Sequence, residues 1–275
     1  MLEPSTCIVV GIDGSPAAVD AALWATEQAV DHDVPLRLVY VIDADERGAV
    51  DPHDQARRIA TAEVALRYAL AAVESAERPV KIEVEILQGR PVQTMLAAAR
   101  SAAMLCIGAR GLKHSTQGRI GSTAVALATS ALCPVAIVRS HRPHRRDRAV
   151  VIEFTDSAAS SGVMQRGLAE AKRRRVPARV LIPARTHPDA RSHASSAWER
   201  RLAEWQRSYP EVEIVPVSER IDTLDYLAAH GDDVQLVVAG RNRPGGVAAL
   251  VGPPGNAALR DTDCSILVCE PHNAL

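Results

Sequence analysis

The stretch Cys7-Ile8-Val9-Val10-Gly11-Ile12-Asp13-Gly14-Ser15 decides how this chain is read. A short apolar run from Cys7 to Ile12 ends at Asp13, Gly14 suits a turn, and a helical pattern follows from near Pro16 to Asp31. The same alternation then repeats. Strand-length apolar runs at Leu36 to Ile42, Val80 to Leu87, Met104 to Gly108 and Val135 to Val138 are separated by helical patterns near Gln55 to Glu77, Pro91 to Ala102 and Ser122 to Leu132. Short strands alternating with helices require parallel crossovers, so the fold class is α/β with a doubly wound sheet.

The plan is written twice. Val34-Pro35-Leu36-Arg37 is answered by Val176-Pro177-Ala178-Arg179, and Cys133-Pro134-Val135-Ala136-Ile137-Val138 by Cys264-Ser265-Ile266-Leu267-Val268-Cys269. Strands of the second copy are expected near Ala149 to Phe154, Ala178 to Ile182, Val212 to Val217, Val234 to Ala239 and Ile266 to Cys269. The reading is therefore two tandem five-stranded parallel sheets with helices on both faces, a first domain over 1–144 and a second over 145–275. With 275 residues, 47% of them hydrophobic, each copy can bury a core of its own. Apolar fifth strands leave sheet edges, so the halves are expected to pair within the chain and the chains to form a homodimer.

Charge is nearly balanced, 32 basic against 33 acidic residues, which leaves no global field to recruit nucleic acid or an acidic membrane surface. No apolar run approaches the ~20 residues that span a bilayer. Met1-Leu2-Glu3-Pro4 has no signal-peptide character, and a cytoplasmic location is expected. Five cysteines without C-x-x-C or zinc-like spacing read as reduced thiols, and Cys106 lies inside the apolar run Ala103 to Ile107. The segment from His141 to Arg148 reads as a solvated basic linker. The stretches Asp43 to His53 and Pro183 to His193 read as long loops after the second strand of each copy. His187 and His193 share the latter loop without the carboxylate or cysteine spacing that makes a metal site.

The residues that carry chemistry lie in the first copy. After its fourth strand comes Gly108-Ala109-Arg110-Gly111, then nine residues, then Gly121-Ser122-Thr123 at a helix start, a G-x2-G-x9-G-S pattern. Such a pattern suits a phosphate: glycines permit close approach and positive φ, and a helix start supplies amides and the positive end of its dipole. With a strand order of 3-2-1-4-5, strands one and four flank the ligand crevice of an open parallel sheet. Asp13 then faces the Gly108 loop, its carboxylate placed for a ribose hydroxyl or base amine. The bland alternative makes Asp13 a helix N-cap and Gly14 a turn residue.

With V-V-G-I-D-G-S at Val9 to Ser15, A-L-W-A at Ala22 to Ala25, P-L-R-L-V-Y-V-I at Pro35 to Ile42, the glycine loop, and C-P-V at Cys133 to Val135, the chain resembles a tandem universal stress protein of the actinobacterial and mycobacterial type. The resemblance implies an adenine-nucleotide alpha-hydrolase-like fold and the ATP-binding branch. The family's aspartate matches Asp13, with Gly11 in the same turn. The residue whose backbone meets adenine matches Val41. The phosphate loop matches Gly108, Arg110, Gly111, Gly121, Ser122 and Thr123. It further implies ATP as ligand, with Mg2+ as an optional companion, dimerisation, an unknown regulatory protein partner, and a role in responses to hypoxia, starvation or dormancy. A slow ATPase and a nucleotide-independent interaction scaffold stay open as alternatives. No P-loop, H-x-G-H or S-G-G-x-D-S motif and no water-activating base is legible, so dedicated catalysis is not expected.

The second copy departs from this pattern. Thr155 aligns with Asp13, Arg243 stands where the second glycine belongs, and Gly252 is followed by Pro253 and Pro254, which lack N–H donors. Its loop is expected to bind no nucleotide, although Arg243 retains a charge that attracts phosphate.

Overall fold

The computed structural model describes residues 6–43, 51–112, 119–141, 147–154, 160–181, 193–217, 222–260 and 262–270. The chain divides into two compact units, Met1–Arg142 and Pro143–Leu275. In the first, β1 (Ile8–Ile12), α1 (Pro16–Asp31), β2 (Leu36–Asp43), α2 (Pro52–Glu74), β3 (Ile82–Gly89), α3 (Pro91–Ala98), β4 (Met104–Gly108), α4 (Ser122–Ser130) and β5 (Val135–Val138) follow one another. Their strands are ordered β3-β2-β1-β4-β5, the doubly wound order expected from the sequence. The pairs β1 with β2, β1 with β4, β2 with β3 and β4 with β5 are all parallel.

The second unit runs through β6 (Ala149–Glu153), α5 (Ser160–Arg174), β7 (Ala178–Leu181), α6 (His193–Ser208), β8 (Ile214–Val217), α7 (Thr223–His230), β9 (Val234–Gly240), α8 (Gly246–Val251), α9 (Pro253–Ala258) and β10 (Ser265–Cys269). Its strand order, β10-β9-β6-β7-β8, is the same winding. Residues 183–192 of the expected loop, the aligned Thr155 and most of the basic linker lie outside the described residues, and His193 opens α6.

Local chemistry accounts for the elements. Ser15 caps α1 by accepting from the Ala18 N–H at 3.2 Å, and Pro16 fills the first helical position, where no donor is needed. Ala18, Ala21, Ala22, Ala25 and Ala29 then form a buried stripe at helical spacing. Helix α2 begins at Pro52, three residues before the reading from apolar period. The Asp51 side chain accepts from the His53 N–H at 3.2 Å and Pro52 holds the first position, so a cap and a proline extend the helix into what reads as loop.

The alanine stripe matters because it brings α1 onto the sheet. A Cβ at Gly108 would lie 2.7 Å from the Ala17 carbonyl carbon and 2.8 Å from the Ala18 nitrogen. The end of β4 therefore touches helix backbone. All five cysteines are buried thiols, and burial pushes the Cys269 thiol up to about 12.

Gly108→Ala is expected to destabilise the first unit by about 1–3 kcal/mol, the usual cost of overpacking where backbone has to move. A denaturation midpoint equal to that of the unaltered protein would show that β4 and α1 are not in hard contact there.

Candidate functional site

The connection from β1 leaves toward β2 and that from β4 leaves toward β5, so a crevice opens above the carboxyl ends of these two neighbours. A cavity of about 520 Å3 occupies that position. Gly11 and Asp13 line it from β1 and its following turn, Val41 from β2, Gly108, Arg110 and Gly111 from the end of β4, and Gly121, Ser122 and Thr123 from the start of α4. The nine residues singled out in the sequence thus converge on one cavity.

The glycines there serve different ends. Neither Gly108 nor Gly111 has positive φ; among the described residues, the glycines that do are Gly14, Gly89, Gly245 and Gly246. The expectation of a left-handed backbone in the loop is corrected accordingly. Gly108 is required by α1, as shown above. At Gly111 a Cβ would stand 2.7 Å from Asp13 Oδ2, so a side chain there would push the carboxylate aside. At Gly121, by contrast, a Cβ would meet only the Ala109 oxygen at 3.7 Å, an ordinary contact. Packing does not explain this glycine. It is the N-cap of α4 and brings no side chain to cap the helix, so among the described residues the helix start presents its amides and its positive dipole end to the cavity. An anion fits that chemistry.

Asp13 is not the cap of α1, which is Ser15. Its carboxylate instead accepts from the Ser15 N–H at 2.9 Å and from the Leu112 N–H at 3.3 Å. Two backbone donors leave further lone pairs on the carboxylate. Its charge, after burial, helps to raise the pKa of the neighbouring Tyr40 phenol. Val41 is placed by register. Leu36 donates to Lys81 on the β3 side, so odd-numbered residues of β2 direct their main-chain groups toward β1. The β1 register ends at Ile12 opposite Tyr40, so the Val41 carbonyl points past the end of β1 into the crevice.

Sequence reasoning passed over Ser15, Tyr40, Met95 and Arg58, which also line the cavity. Arg58 reaches it from α2, with Nε 2.7 Å from Asp54 Oδ2 and Nη1 donating to the Asp43 carbonyl at 3.0 Å. Hydrogen bonds from Arg57 and Arg58 hold Asp54 below its ordinary carboxylate range. The Asp54/Arg58 spacing of i,i+4 was the available signal, and reading the helix start too late hid it.

In the second unit, Glu153 and Arg243 occupy the corresponding strand ends. Both side chains are 2% exposed. Arg243 Nε donates to Glu153 Oε2 at 2.8 Å and Nη2 to Oε1 at 3.0 Å, the Thr223 hydroxyl donates to Oε1 at 2.8 Å, and Arg243 Nη1 donates to the Gly246 carbonyl at 3.0 Å. The expectation that Arg243 keeps a charge for phosphate is corrected: its guanidinium is neutralised in place by a bidentate carboxylate. Pro253 and Pro254 open α9 behind the cap Gly252, which also lacks a side-chain cap bond. Two of the first amides of that helix are absent for covalent reasons.

Comparison with known proteins matches residues 6–139 to the family model described as the universal stress protein family. The chain is 46% identical over 264 residues to the universal stress protein Rv2028c of Mycobacterium tuberculosis, covering 95% of each chain. It is 41% identical over 242 residues to the universal stress protein Rv3134c of the same organism, covering 86% of this chain and 89% of that one. Among solved structures, a universal stress protein from Archaeoglobus fulgidus shares the fold with a TM-score of 0.73 at 15% identity, covering 98% of this chain and 97% of that one.

Removing one partner of the buried pair isolates a charge. Glu153→Leu is expected to cost about 3–5 kcal/mol, whereas the double change Glu153→Leu with Arg243→Leu should cost far less. Denaturation of Glu153→Leu, Arg243→Leu and the double variant checks this; additive losses would show that the two groups do not act as a pair.

Proposed function

The chain belongs to the universal stress protein family, and on that premise we propose that it is an ATP-binding regulator whose first unit holds one nucleotide per chain. The observation that carries this reading is the start of α4, where an uncapped helix N-terminus behind a glycine with no packing role faces a carboxylate across a cavity. A triphosphate supplies the negative charge that such a helix start lacks. In this reading the Val41 carbonyl meets the adenine, Asp13 the ribose, and Arg110, Gly111, Ser122 and Thr123 the phosphates. Among the described residues no group of three His, Cys, Asp or Glu side chains could hold a metal.

Support for a single site per chain comes from the second unit, where the aligned loop spends its cation on Glu153 and opens its helix with prolines. The second unit then serves as a partner domain rather than a receptor. The output is occupancy: bound and unbound forms present different surfaces to a regulatory protein in the cytoplasm, in responses to hypoxia, starvation or dormancy. Among the described residues, no helix is long and apolar enough to cross a membrane.

Calorimetric titration of the intact chain with a slowly hydrolysed ATP analogue is expected to give one site. Gly121→Asp provides a sharper check. It supplies α4 with a carboxylate cap, so the fold should be as stable as before or more so, while the new charge should weaken binding roughly tenfold or more. Two equivalent sites, or an undiminished affinity in Gly121→Asp, would overturn the placement. We extend the reading to a homodimer, for which light scattering should return the mass of two chains; a single-chain mass at high concentration would refute that part alone.

A further inference from the structure

Resting on the nucleotide reading for its functional half, we propose that Asp13 and Ser15 are positioning residues that clamp the β4–α4 loop around Gly111, so that the phosphate-facing backbone is set before any nucleotide arrives. The residues of the turn after β1 and of the loop after β4 are nearly one hundred positions apart in the chain, yet two bonds join them. Ser15 Oγ donates to the Arg110 carbonyl at 3.1 Å, and the Leu112 N–H donates to Asp13 Oδ2 at 3.3 Å. These bonds straddle Gly111 on either side. A Cβ at Gly111 would stand 2.7 Å from the same Oδ2, so a side chain there would push the carboxylate away from its bond to Leu112. Glycine at this position therefore serves the clamp directly.

The clamp is also braced from behind. Asp13 Oδ1 accepts from the Ser15 N–H at 2.9 Å, and Ser15 Oγ accepts from the Ala18 N–H at 3.2 Å while donating to Arg110. Ser15 is 4% exposed, and its hydroxyl is occupied by both bonds. Its position is in turn tied to α1, which meets β4 backbone at Gly108. Backbone held on both sides of Gly111 and backed by a helix does not have to be ordered there by its ligand, which removes an entropic cost from binding. A nucleotide would then dock onto a finished surface.

The experiment reads amide hydrogen exchange at residues 109–112 of the full-length protein without nucleotide, followed by titration with the ATP analogue. Asp13→Ala should speed exchange of the Leu112 amide by roughly tenfold, the factor corresponding to loss of one bond to a charged group. Ser15→Asp keeps an acceptor for the α1 cap but has no proton to donate to Arg110, so it should open 109–112 with α1 intact. Ser15→Ala should open the loop and weaken the analogue several-fold, and Ser15→Thr, which keeps the donor, should restore both. Unchanged exchange in Asp13→Ala and Ser15→Asp would overturn the clamp whether or not nucleotide binds. An opened loop with undiminished affinity in Ser15→Ala would overturn its positioning role. Failure of the nucleotide reading has its own signature, namely no titration by the unaltered chain.

Discussion

The backbone contact between β4 and α1 at Gly108 is the constraint on which the site depends. A residue with any side chain would meet Ala17 and Ala18 there, and the small side chains of α1 let the helix settle that closely. This contact brings the start of α1 beside the end of β4. Only at that separation can Ser15 reach the Arg110 carbonyl and Asp13 the Leu112 amide. The cavity forms where two connections diverge, and these bonds set the geometry of its rim.

The two units solve the same topological problem with opposite chemistry. Diverging loops above a parallel sheet leave polar backbone and helix ends that require partners. The first unit keeps a cavity and an uncapped helix start. The second fills the equivalent strand ends with Glu153, Arg243 and Thr223, a buried network in which each charged group finds its counterpart. One arrangement leaves a helix start open to a cavity, and the other has brought its own cation and carboxylate.

Much of this was legible in the sequence because it is local. Apolar runs of strand length separated by helical periods specify a doubly wound sheet, and β4 and β5 have the bounds read from them. The nine residues of the candidate site follow from position after β1, β2 and β4, since a doubly wound order brings those carboxyl ends together. Less legible was the start of α2, where Asp51 and Pro52 act through a cap rather than through periodicity. Arg58 was lost with it.

What the sequence determined by itself was the alternation, the duplication and the identity of the groups available at each strand end, because spacing and side-chain type are properties of short segments. Which partner each group takes was decided only by tertiary structure. Gly111 looks like a phosphate glycine and also leaves room for the Asp13 carboxylate; Arg243 looks like a phosphate cation and belongs to Glu153. The physical reason is that hydrogen bonds and steric contacts act over a few ångströms of space. Residues 95 and 99 positions apart in the two loops become neighbours only once β1 and β4 lie side by side.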